Sequence, residues 1–447
     1  MTNAVGSLST SISTRTIRKL RARLLPFIFI LYVLAYLDRI NIGFAALTMN
    51  RELGITSQQF GLVAGIFFFG YFLFEIPSNL LLHKIGARIW IARILLTWGA
   101  IAVLTGFAQS VQQLYIARFL LGLAEAGYFP GMILYLTYWF PQREQARTIA
   151  MFLTGNPITS ILGAPISGLI LDHAHWFNIS SWRWLLILEG IPAIIFGFLT
   201  YILLPSRPDE AKFLATEEKE WLREELAREE EQKLQQHKFS VSQALANGRV
   251  WCLVGIYLGM MIGSYTLTLW APQLVKSLSS RYSNSLVGFL VMIPSLVGLL
   301  GMILISRSSD RRLERRYHVA IPAVAGALAL VLLGSTQQPV FAVAFLAALA
   351  VSVYGFLGPF WALPSQFLTG FSAAAGIALI NSIGNLGGFI GPSIIGATKN
   401  WTGNVRVGLS VIAICMLVSA ALVLLLPPEA RAHELTGEKK MDTVNIR

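Results

Sequence analysis

Residues 24–48 read LLPFIFILYVLAYLDRINIGFAALT, a long apolar run that contains one Asp-Arg pair. A helix needs about 20 predominantly apolar residues to cross a bilayer, so this run predicts a membrane span. It is longer than the apolar core of a signal peptide, and no processing site follows it. The run therefore predicts a retained span that carries two ionisable side chains, Asp38 and Arg39.

The composition of the whole chain agrees with this prediction. Of its 447 residues, 55% are hydrophobic and only 13% are charged, whereas soluble globular proteins contain about 25% charged residues. Since a water-facing surface cannot be built from so few charges, the composition excludes a soluble protein. The two cysteines lie in apolar runs, which favours neither a disulfide framework nor a redox role.

Twelve apolar runs predict an all-α integral membrane protein with twelve transmembrane helices in two six-helix bundles. The first bundle (24–204) has its spans at 24–48, 58–82, 89–108, 112–136, 146–171 and 184–204. The second bundle (249–426) has them at 249–275, 285–306, 317–335, 340–364, 370–397 and 405–426. An N-terminal tail (1–23), a charged linker (205–248) and a C-terminal tail (427–447) complete the chain.

The net charge of +12 is explained by where the basic residues lie. If both tails and the linker are cytoplasmic, the cytoplasmic segments hold 26 Lys and Arg and the opposite loops hold six. Because cytoplasmic loops of membrane proteins are enriched in basic residues, both termini are predicted to be cytoplasmic, and no nucleic acid partner is expected. The linker, with ten acidic and seven basic residues, is predicted to be a solvated hinge.

A single offset in residue number superposes the two predicted bundles, and we call it the repeat offset. It aligns six pairs of glycines, basic residues and prolines: Gly61 with Gly288, Lys84 with Arg311, Arg88 with Arg315, Gly99 with Gly326, Gly131 with Gly358, and Pro165 with Pro392. The repeat offset carries span 2 onto span 8 and span 5 onto span 11, so both halves have the same orientation. The sequence therefore predicts a parallel repeat.

Ionisable residues inside membrane spans are costly and mark functional sites. In this chain they lie in the first half, at Asp38, Arg39, Glu75, Arg118, Glu125 and Glu189. Spans 8 to 12 have none in their interiors, so the second half can offer neutral polar groups. Glu75, which precedes Pro77, is interpreted as the kinked inner end of span 2.

The spacing of these charges predicts their directions. Arg118 and Glu125 are about two helical turns apart and face the same neighbour. Asp38 and Arg39 are adjacent, so only one of them can face a central cavity. The two acids and two arginines sum to zero charge, and a carboxylate bound to one arginine would favour protonation of an acid, which is a route to proton coupling. The alternative is a neutral structural cluster that joins spans 1 and 4.

Neutral polar side chains complete the candidate site. In the first half they are Tyr36, Tyr71 and Asn156, and in the second half Tyr265, Gln273, Asn381 and Asn385. Asn381 and Asn385 share one helical face, which suits recognition of hydroxyl groups. Packing and interhelical hydrogen bonds are equally ordinary uses of these residue types.

The sequence contains no motif that indicates catalysis. Gly384–Gly388 resembles a phosphate loop but lacks the Lys-Ser/Thr that follows such loops. Asp172, His173 and His175 lack further metal ligands nearby. We therefore expect that the protein is not an enzyme and binds no metal or cofactor. The proton is the expected coupling ion.

Four stretches resemble the major facilitator superfamily and, within it, the anion:cation symporter family of bacterial organic-anion transporters. They are YLDRINIG (36–43), GYFLFEIPSN (70–79), RFLLGLAEAG (118–127) and GIALINSIGNLGG (376–388). The superfamily's inner-loop pattern, Gly-x-x-x-Asp-Arg/Lys-x-Gly-Arg, is only partly kept. His83 stands where the aspartate usually lies, and Leu313 replaces a glycine in the second half.

The resemblance implies a role for each candidate residue. It assigns Arg39 as the anion clamp, Asp38 and Glu125 as proton carriers, Arg118 as the charge that tunes Glu125, Tyr36 and Tyr71 as lining residues, and Asn156 as a polar contact of span 5.

Together these observations predict a proton-coupled symporter that imports a small organic carboxylate, such as tartrate or a sugar acid, by alternating access. An aromatic carboxylate such as phthalate is the alternative substrate. Outside this class, the alternatives are a channel and a non-transporting sensor, although a sensor normally has a larger output module than the linker at 205–248. The expected partners are the organic anion, protons and the lipid of a bacterial inner membrane, and the expected state is a monomer.

Overall fold

The computed structural model of the protein describes residues 2–235, 247–364 and 370–427. The helices of the first half are α1 (Thr2–Glu52), α2 (Ser57–Ile85), α3 (Ala87–Thr105), α4 (Val111–Glu125), α5 (Tyr128–Thr137), α6 (Gln142–Leu153), α7 (Gly155–His173) and α8 (Ser181–Leu203). The linker contains α9 (Thr216–Gln235). The second half contains α10 (Gly248–Ser277), α11 (Asn284–Arg312), α12 (Arg316–Ser335), α13 (Pro339–Gly355), α14 (Leu357–Ala362), α15 (Gly370–Asn385), α16 (Gly387–Thr402) and α17 (Arg406–Leu425).

Eleven helical segments of the described residues are long and apolar enough to cross a membrane. The remaining predicted span, 146–171, corresponds to α6 and α7. Its α7 buries small and polar residues, among them Thr159, Ser160 and Ser167, and packs against α1 and α11. A helix that buries a polar face against protein needs fewer apolar residues than one that faces lipid all round, so the predicted twelve-helix architecture agrees with the structure.

Four of the twelve predicted spans are interrupted near mid-depth. Span 4 breaks after Glu125, where Gly127 has a φ of 81°. The other three are milder irregularities, at Thr154 in span 5, Phe356 in span 10 and Leu386 in span 11, where the backbone angles stay helical. Spans 4 and 10, like spans 5 and 11, are equivalent under the repeat offset, so the interruptions follow the repeat. The apolar pattern runs through each break, which is why the sequence predicted continuous helices.

The parallel repeat is confirmed at the seams between the two halves, where α2 packs on α16 and α7 packs on α11. A Cβ atom added to Gly61 would lie 2.5 Å from the carbonyl oxygen of Pro392. One added to Gly288 would lie 2.3 Å from the carbonyl oxygen of Ala164 and 3.1 Å from the Cα of Pro165. The repeat offset exchanges these two contacts, so both seams use the same glycine and proline positions.

The two ends of the molecule are held by different contacts. We call the end that carries α9 the linker side and the opposite end the far side. On the far side, Asp172 at the end of α7 accepts hydrogen bonds from the backbone amides of Asn284 and Ser285 at 3.1 and 2.7 Å and from the Asn284 side chain at 2.9 Å. A carboxylate is stabilised at a helix N-terminus, so Asp172 links the two halves.

On the linker side, α9 docks on α1 at Arg15 and Lys19. The buried Glu218 side chain accepts hydrogen bonds from Arg15 Nε at 2.7 Å and Lys19 Nζ at 2.8 Å. Burial would raise the pKa of Glu218, but hydrogen bonds from Lys19, the Ala215 amide and Arg15 lower it below its usual value. The linker is therefore not a purely solvated hinge, because one face of α9 is anchored.

The loops that follow α2 and α11, at Gly86 and Leu313, also differ in backbone conformation. Gly86, between α2 and α3, has a φ of 97°, which suits glycine. At the equivalent end of α11, Leu313 has a φ of 50° and exposes 72% of its surface. A side chain in the left-handed region costs about 1–2 kcal/mol. The replacement of the usual glycine therefore leaves local strain, while Arg315 still reaches Asp310 at 2.6 Å.

Candidate functional site

Asp38 and Arg39 face different neighbours, as their adjacency predicted. Asp38 is 1% exposed and accepts hydrogen bonds from Trp98 Nε1 of α3 at 2.6 Å and from Asn41 Nδ2 at 3.1 Å. Arg39 instead lines a cavity between the two halves. Asp38 is thus held inside the first half, while the guanidinium of Arg39 is presented at the interface.

Arg39 forms a buried ion pair with Glu125. Its Nε and Nη2 atoms both lie 2.6 Å from Glu125 Oε1. Glu125 is the last residue of α4, directly before the turn at Gly127, so the chain break places the carboxylate toward α1. Glu125 Oε2 has no hydrogen-bond partner among the described residues. A carboxylate that enters the cavity can therefore compete with Glu125 for the same guanidinium.

Aromatic rings surround both arginines. The guanidinium carbon of Arg39 lies 4.9 Å from the ring centre of Tyr71, 5.1 Å from Tyr36 and 5.5 Å from Phe67. The guanidinium carbon of Arg118 lies 5.0 Å from the centre of the same Phe67 ring. Its buried Nε and Nη2 atoms have no hydrogen-bond partner in the described part of the chain. Phe67 therefore contacts both cations and contributes cation–π stabilisation to each.

The cavity is narrow and mostly polar and aromatic. Its walls include Tyr32, Tyr36, Arg39, Tyr71, Phe129 and Asn156 from the first half and Tyr257, Met261, Ser264, Trp361, Asn381 and Asn385 from the second. Tyr265 lines its continuation toward the far side, together with Thr268. The structure thus brings together all the predicted substrate-binding residues except Gln273.

Gln273 is not among the residues that line this cavity or its continuation. It lies eight residues beyond Tyr265 on α10, about 12 Å toward the far side. The substrate-binding role of Gln273 therefore stays a prediction, at a different depth from the other candidates on the same span. Tyr265 itself donates a hydrogen bond to Asn385 Oδ1 at 2.9 Å, which leaves the amide nitrogen of Asn385 for the cavity.

Glu75 does not simply mark a kinked helix end, since α2 continues to Ile85. The side chain is 3% exposed, and its two oxygens accept hydrogen bonds from Asn381 Nδ2 at 3.0 Å and Ser382 Oγ at 2.5 Å, both on α15. Asn381 therefore donates to a protein carboxylate in this state. The signal in the sequence was the spacing, because Glu75 lies one helical turn after Tyr71.

The neutral quartet predicted from the sequence is incomplete. Among the described residues, the charged side chains buried within membrane spans are Asp38, Glu75, Glu125, Glu189, Arg39 and Arg118. Glu189 accepts a hydrogen bond from Ser167 at 2.7 Å inside the first half. Four carboxyl groups and two guanidinium groups would carry a net charge of −2 if all were ionised, so neutrality of these buried groups requires two bound protons.

Several contributors to the site left little signal in the sequence. Trp98 is one of many aromatic residues in apolar spans, and its bond to Asp38 depends on how α3 packs on α1. Tyr257 and Trp361 meet across the cavity wall with ring centres 5.0 Å apart. Asn41 was within reach of prediction, because it lies three residues after Asp38 on the same helical face.

The chain is similar in sequence to known transporters. Residues 28–392 match the family model of the Major Facilitator Superfamily. A protein of Agrobacterium vitis named as a tartrate transporter is 44% identical over 421 residues, which cover 94% of this chain and 93% of the relative. A quinolone resistance transporter of Acinetobacter baumannii is 41% identical over 431 residues, which cover 96% of this chain and 98% of the relative.

The fold is also similar to that of a solved transporter. A bacterial homologue of the human lysosomal transporter Spinster, in an inward-facing and unoccupied conformation, superposes with a TM-score of 0.74 at 15% identity. The likeness covers 92% of this chain and 97% of that chain. At this identity the comparison concerns the fold.

Proposed function

Since the chain belongs to the major facilitator superfamily, and is therefore a multi-pass membrane transporter and not an enzyme, we propose that it imports a small organic carboxylate together with protons. The observation that carries the proposal is the position of Arg39, whose guanidinium lies in the cavity between the halves and is paired with a buried carboxylate. A planar guanidinium binds a carboxylate with two parallel hydrogen bonds, which suits recognition of an organic acid.

The remaining cavity residues support a hydroxy acid as the substrate. The described wall contributed by the second half carries amides, hydroxyls and aromatic rings, and no cation. One carboxylate can therefore bind Arg39 while hydroxyl groups reach Asn156 and Asn385. Tartrate and sugar acids have this chemistry, and the relative from Agrobacterium vitis is named for tartrate.

Proton coupling follows from an exchange of partners at Arg39. When the substrate carboxylate takes the guanidinium, Glu125 loses the partner of its Oε1 atom while its Oε2 atom already has none among the described residues. A buried carboxylate without a cation is costly, so Glu125 then binds a proton. Substrate binding and proton binding therefore favour each other, which is the requirement for symport.

Alternating access completes the proposed cycle. In this cycle the far-side seams at Gly61 and Gly288 and the Asp172 contact hold the far side shut while the substrate exchanges with the linker side. The distribution of basic residues assigns the linker side to the cytoplasmic face of a bacterial inner membrane. The protein is proposed to work as a monomer. Each net positive charge moved inward gains about 2.3 kcal/mol per 100 mV, so import with excess protons is concentrative.

Uptake of labelled tartrate into proteoliposomes with an alkaline interior tests the proposal. Wild type is expected to accumulate tartrate above the external concentration, and an uncoupler should abolish the accumulation. Arg39→Lys should reduce uptake strongly because lysine cannot form the two parallel bonds, whereas Arg281→Lys, at an exposed loop position, should not. Equilibration without accumulation would instead indicate a channel, and unchanged uptake in Arg39→Lys would refute the assigned clamp.

An aromatic carboxylate such as phthalate is the second candidate. The observation that favours it is the aromatic part of the cavity wall, formed by Tyr32, Tyr36, Tyr71, Tyr257 and Trp361. Rings of the substrate could stack there while a carboxylate binds Arg39. Competition of unlabelled phthalate with labelled tartrate separates the candidates, because the substrate with more favourable contacts displaces the other at lower concentration.

A further inference from the structure

Glu75 bridges the two halves of the protein within the membrane. It belongs to α2 in the first half, and both of its carboxylate oxygens accept hydrogen bonds from α15 in the second half, from Asn381 at 3.0 Å and Ser382 at 2.5 Å. The two donors are consecutive residues on one helix. A single carboxylate thus determines how this part of α15 sits against α2.

The partners of Glu75 are neutral. Among the described residues, no Lys or Arg nitrogen forms an ion pair with Glu75. The titratable groups that face it are Arg39 from α1, Tyr71 from α2 and Tyr257 from α10, which act through space, while α15 presents only the amide and the hydroxyl. Hydrogen bonds to an ionised acceptor are roughly twice as strong as neutral ones, so the proton occupancy of Glu75 sets the strength of this contact.

The location of the Glu75 contact allows it to control the opening of the linker-side half of this seam. On the far side of this seam, α2 and α16 touch through backbone atoms, as Gly61 does with Pro392 and Gly65 with Phe389. Glu75 lies about 20 Å further along α2, past the break at Leu386, where α15 replaces α16. The linker-side half of the seam is therefore held by a titratable hydrogen-bonded contact and the far half by close packing.

The charge count indicates that protons must be shared among the buried acids. Two protons neutralise the four carboxyl groups and two guanidinium groups buried in the described membrane spans, and each carboxylate of a bound anion calls for one more. Glu125 has the guanidinium of Arg39 as its partner, whereas Glu75 has neutral donors alone within hydrogen-bond distance. Because no cation stabilises its ionised form within hydrogen-bond distance, Glu75 should bind one of these protons more readily than Glu125 does.

We propose that Glu75 is a proton-binding residue of the transport cycle, which in its ionised form holds α15 against α2 and in its protonated form releases Asn381 to the substrate. This inference rests on the proposed function, since it adds a coupling site to the same cavity. Asn381 lines the cavity, and its amide nitrogen is engaged by Glu75 in the present state. Protonation of Glu75 weakens that bond and frees a donor for a substrate hydroxyl, so one residue links the proton to the cargo.

The proton-to-tartrate stoichiometry of Glu75→Gln tests the proposal, measured from the membrane potential at which net flux in proteoliposomes reverses. The variant is expected to move one proton fewer per tartrate than wild type, while exchange of internal for external tartrate continues and loses part of its pH dependence. A merely structural role would change the rates and leave the stoichiometry unaltered. An unchanged stoichiometry and pH profile in Glu75→Gln would overturn the inference.

Two further variants guard against misfolding as an explanation. Glu75→Asp retains a carboxyl group and should keep the wild-type stoichiometry at a reduced rate. The double change Glu75→Gln with Asn381→Asp places the carboxylate on α15 and the amide on α2, and should restore the lost proton. Failure of both to differ from Glu75→Gln would count against a titrating role.

A substrate-free measurement separates this inference from the proposed function. Infrared difference spectra of the purified protein between acidic and alkaline pH report the carbonyl stretch of protonated carboxyl groups. We expect one such band to be missing in Glu75→Gln and present in Ser382→Ala, at a shifted frequency. If wild type transports no carboxylate but the band is lost, the proposed function fails and the proton site stands; if the spectra of wild type and Glu75→Gln coincide, the inference fails.

Discussion

Adding one methyl group to Gly61 should disfavour closure of the far side. The new Cβ atom would lie 2.5 Å from the carbonyl oxygen of Pro392 and 3.2 Å from the Cα of Ser393. Both contacts are with backbone, so no side chain can turn aside, and α2 and α16 must separate by about 1 Å to restore ordinary contact. Overpacking of this kind costs about 1–3 kcal/mol, and the whole cost falls on the closed state because the seam is parted in the open one.

A bias of this size changes the ratio of closed to open molecules by about 5- to 150-fold. Spin labels at Gln58 and Asn400, whose side chains lie 3.4 Å apart across the far side, report that ratio as a distance distribution. Gly61→Ala should increase the long-distance population and slow tartrate uptake, and Gly288→Ala should do the same at the equivalent seam. Gly248→Ala is the matched control, because nothing lies within 4 Å of its added atom.

The reasoning would be refuted if Gly61→Ala gave the wild-type distance distribution and wild-type uptake. A loss of uptake with an unchanged distribution would equally contradict it, because the effect would then arise elsewhere in the cycle.

Three further predictions concern the ends of the helices. Asp172→Asn removes the charge at the N-terminus of α11 and should increase labelling of a far-side cysteine by a membrane-impermeant reagent by several-fold, while an unchanged rate would contradict the assigned link. Leu313→Gly relieves a side chain at a φ of 50° and should stabilise the protein by about 1 kcal/mol, measured as denaturant unfolding in detergent; a lower stability would show that no strain is stored there. Glu218 has a lowered pKa in the folded protein, so its contribution is complete above the usual value of about 4.3 and is lost as the pH falls through the folded pKa. Hydrogen exchange of α9 should therefore rise at acidic pH, Glu218→Gln should raise it at neutral pH, and the exposed Glu220→Gln should leave it unchanged; a pH-independent α9 would refute this anchoring.

Much of the fold could be predicted because lipid imposes strict requirements on sequence. Each span must be long and apolar, so the runs identified the twelve-helix plan and the repeat offset, and contacts at Gly61 and Gly288 agree with that offset. The interruptions at Thr154, Phe356 and Leu386 could not be predicted. They depend on how neighbouring helices pack, and hydropathy carries no information about that.

The candidate site was predictable where a rare residue type decided the matter. A buried arginine is costly, so Arg39 and Arg118 were identifiable from their depth alone. Their partners were less certain, since the structure pairs Arg39 with Glu125 and leaves two nitrogens of Arg118 without a hydrogen-bond partner in the described residues. Glu75 was misread because its partners belong to the other half of the chain, far away in sequence.

The roles of the site residues follow from charge more than from shape. The cavity walls are neutral on the side of the second half, and the charged groups are concentrated on α1, α2 and α4. In the proposed mechanism an organic anion has one strong anchor, Arg39, and its displacement of Glu125 from that anchor is accompanied by the binding of a proton. In this account, binding of the substrate is itself what causes the coupling proton to bind.

Isothermal titration of the purified protein with tartrate, in buffers that differ in ionisation enthalpy, tests this exchange most directly because it counts the protons taken up on binding. Wild type should take up protons as tartrate binds, and Glu125→Gln should bind tartrate with a smaller uptake. Binding without proton uptake in wild type, or an uptake that Glu125→Gln leaves undiminished, would contradict the exchange of partners at Arg39.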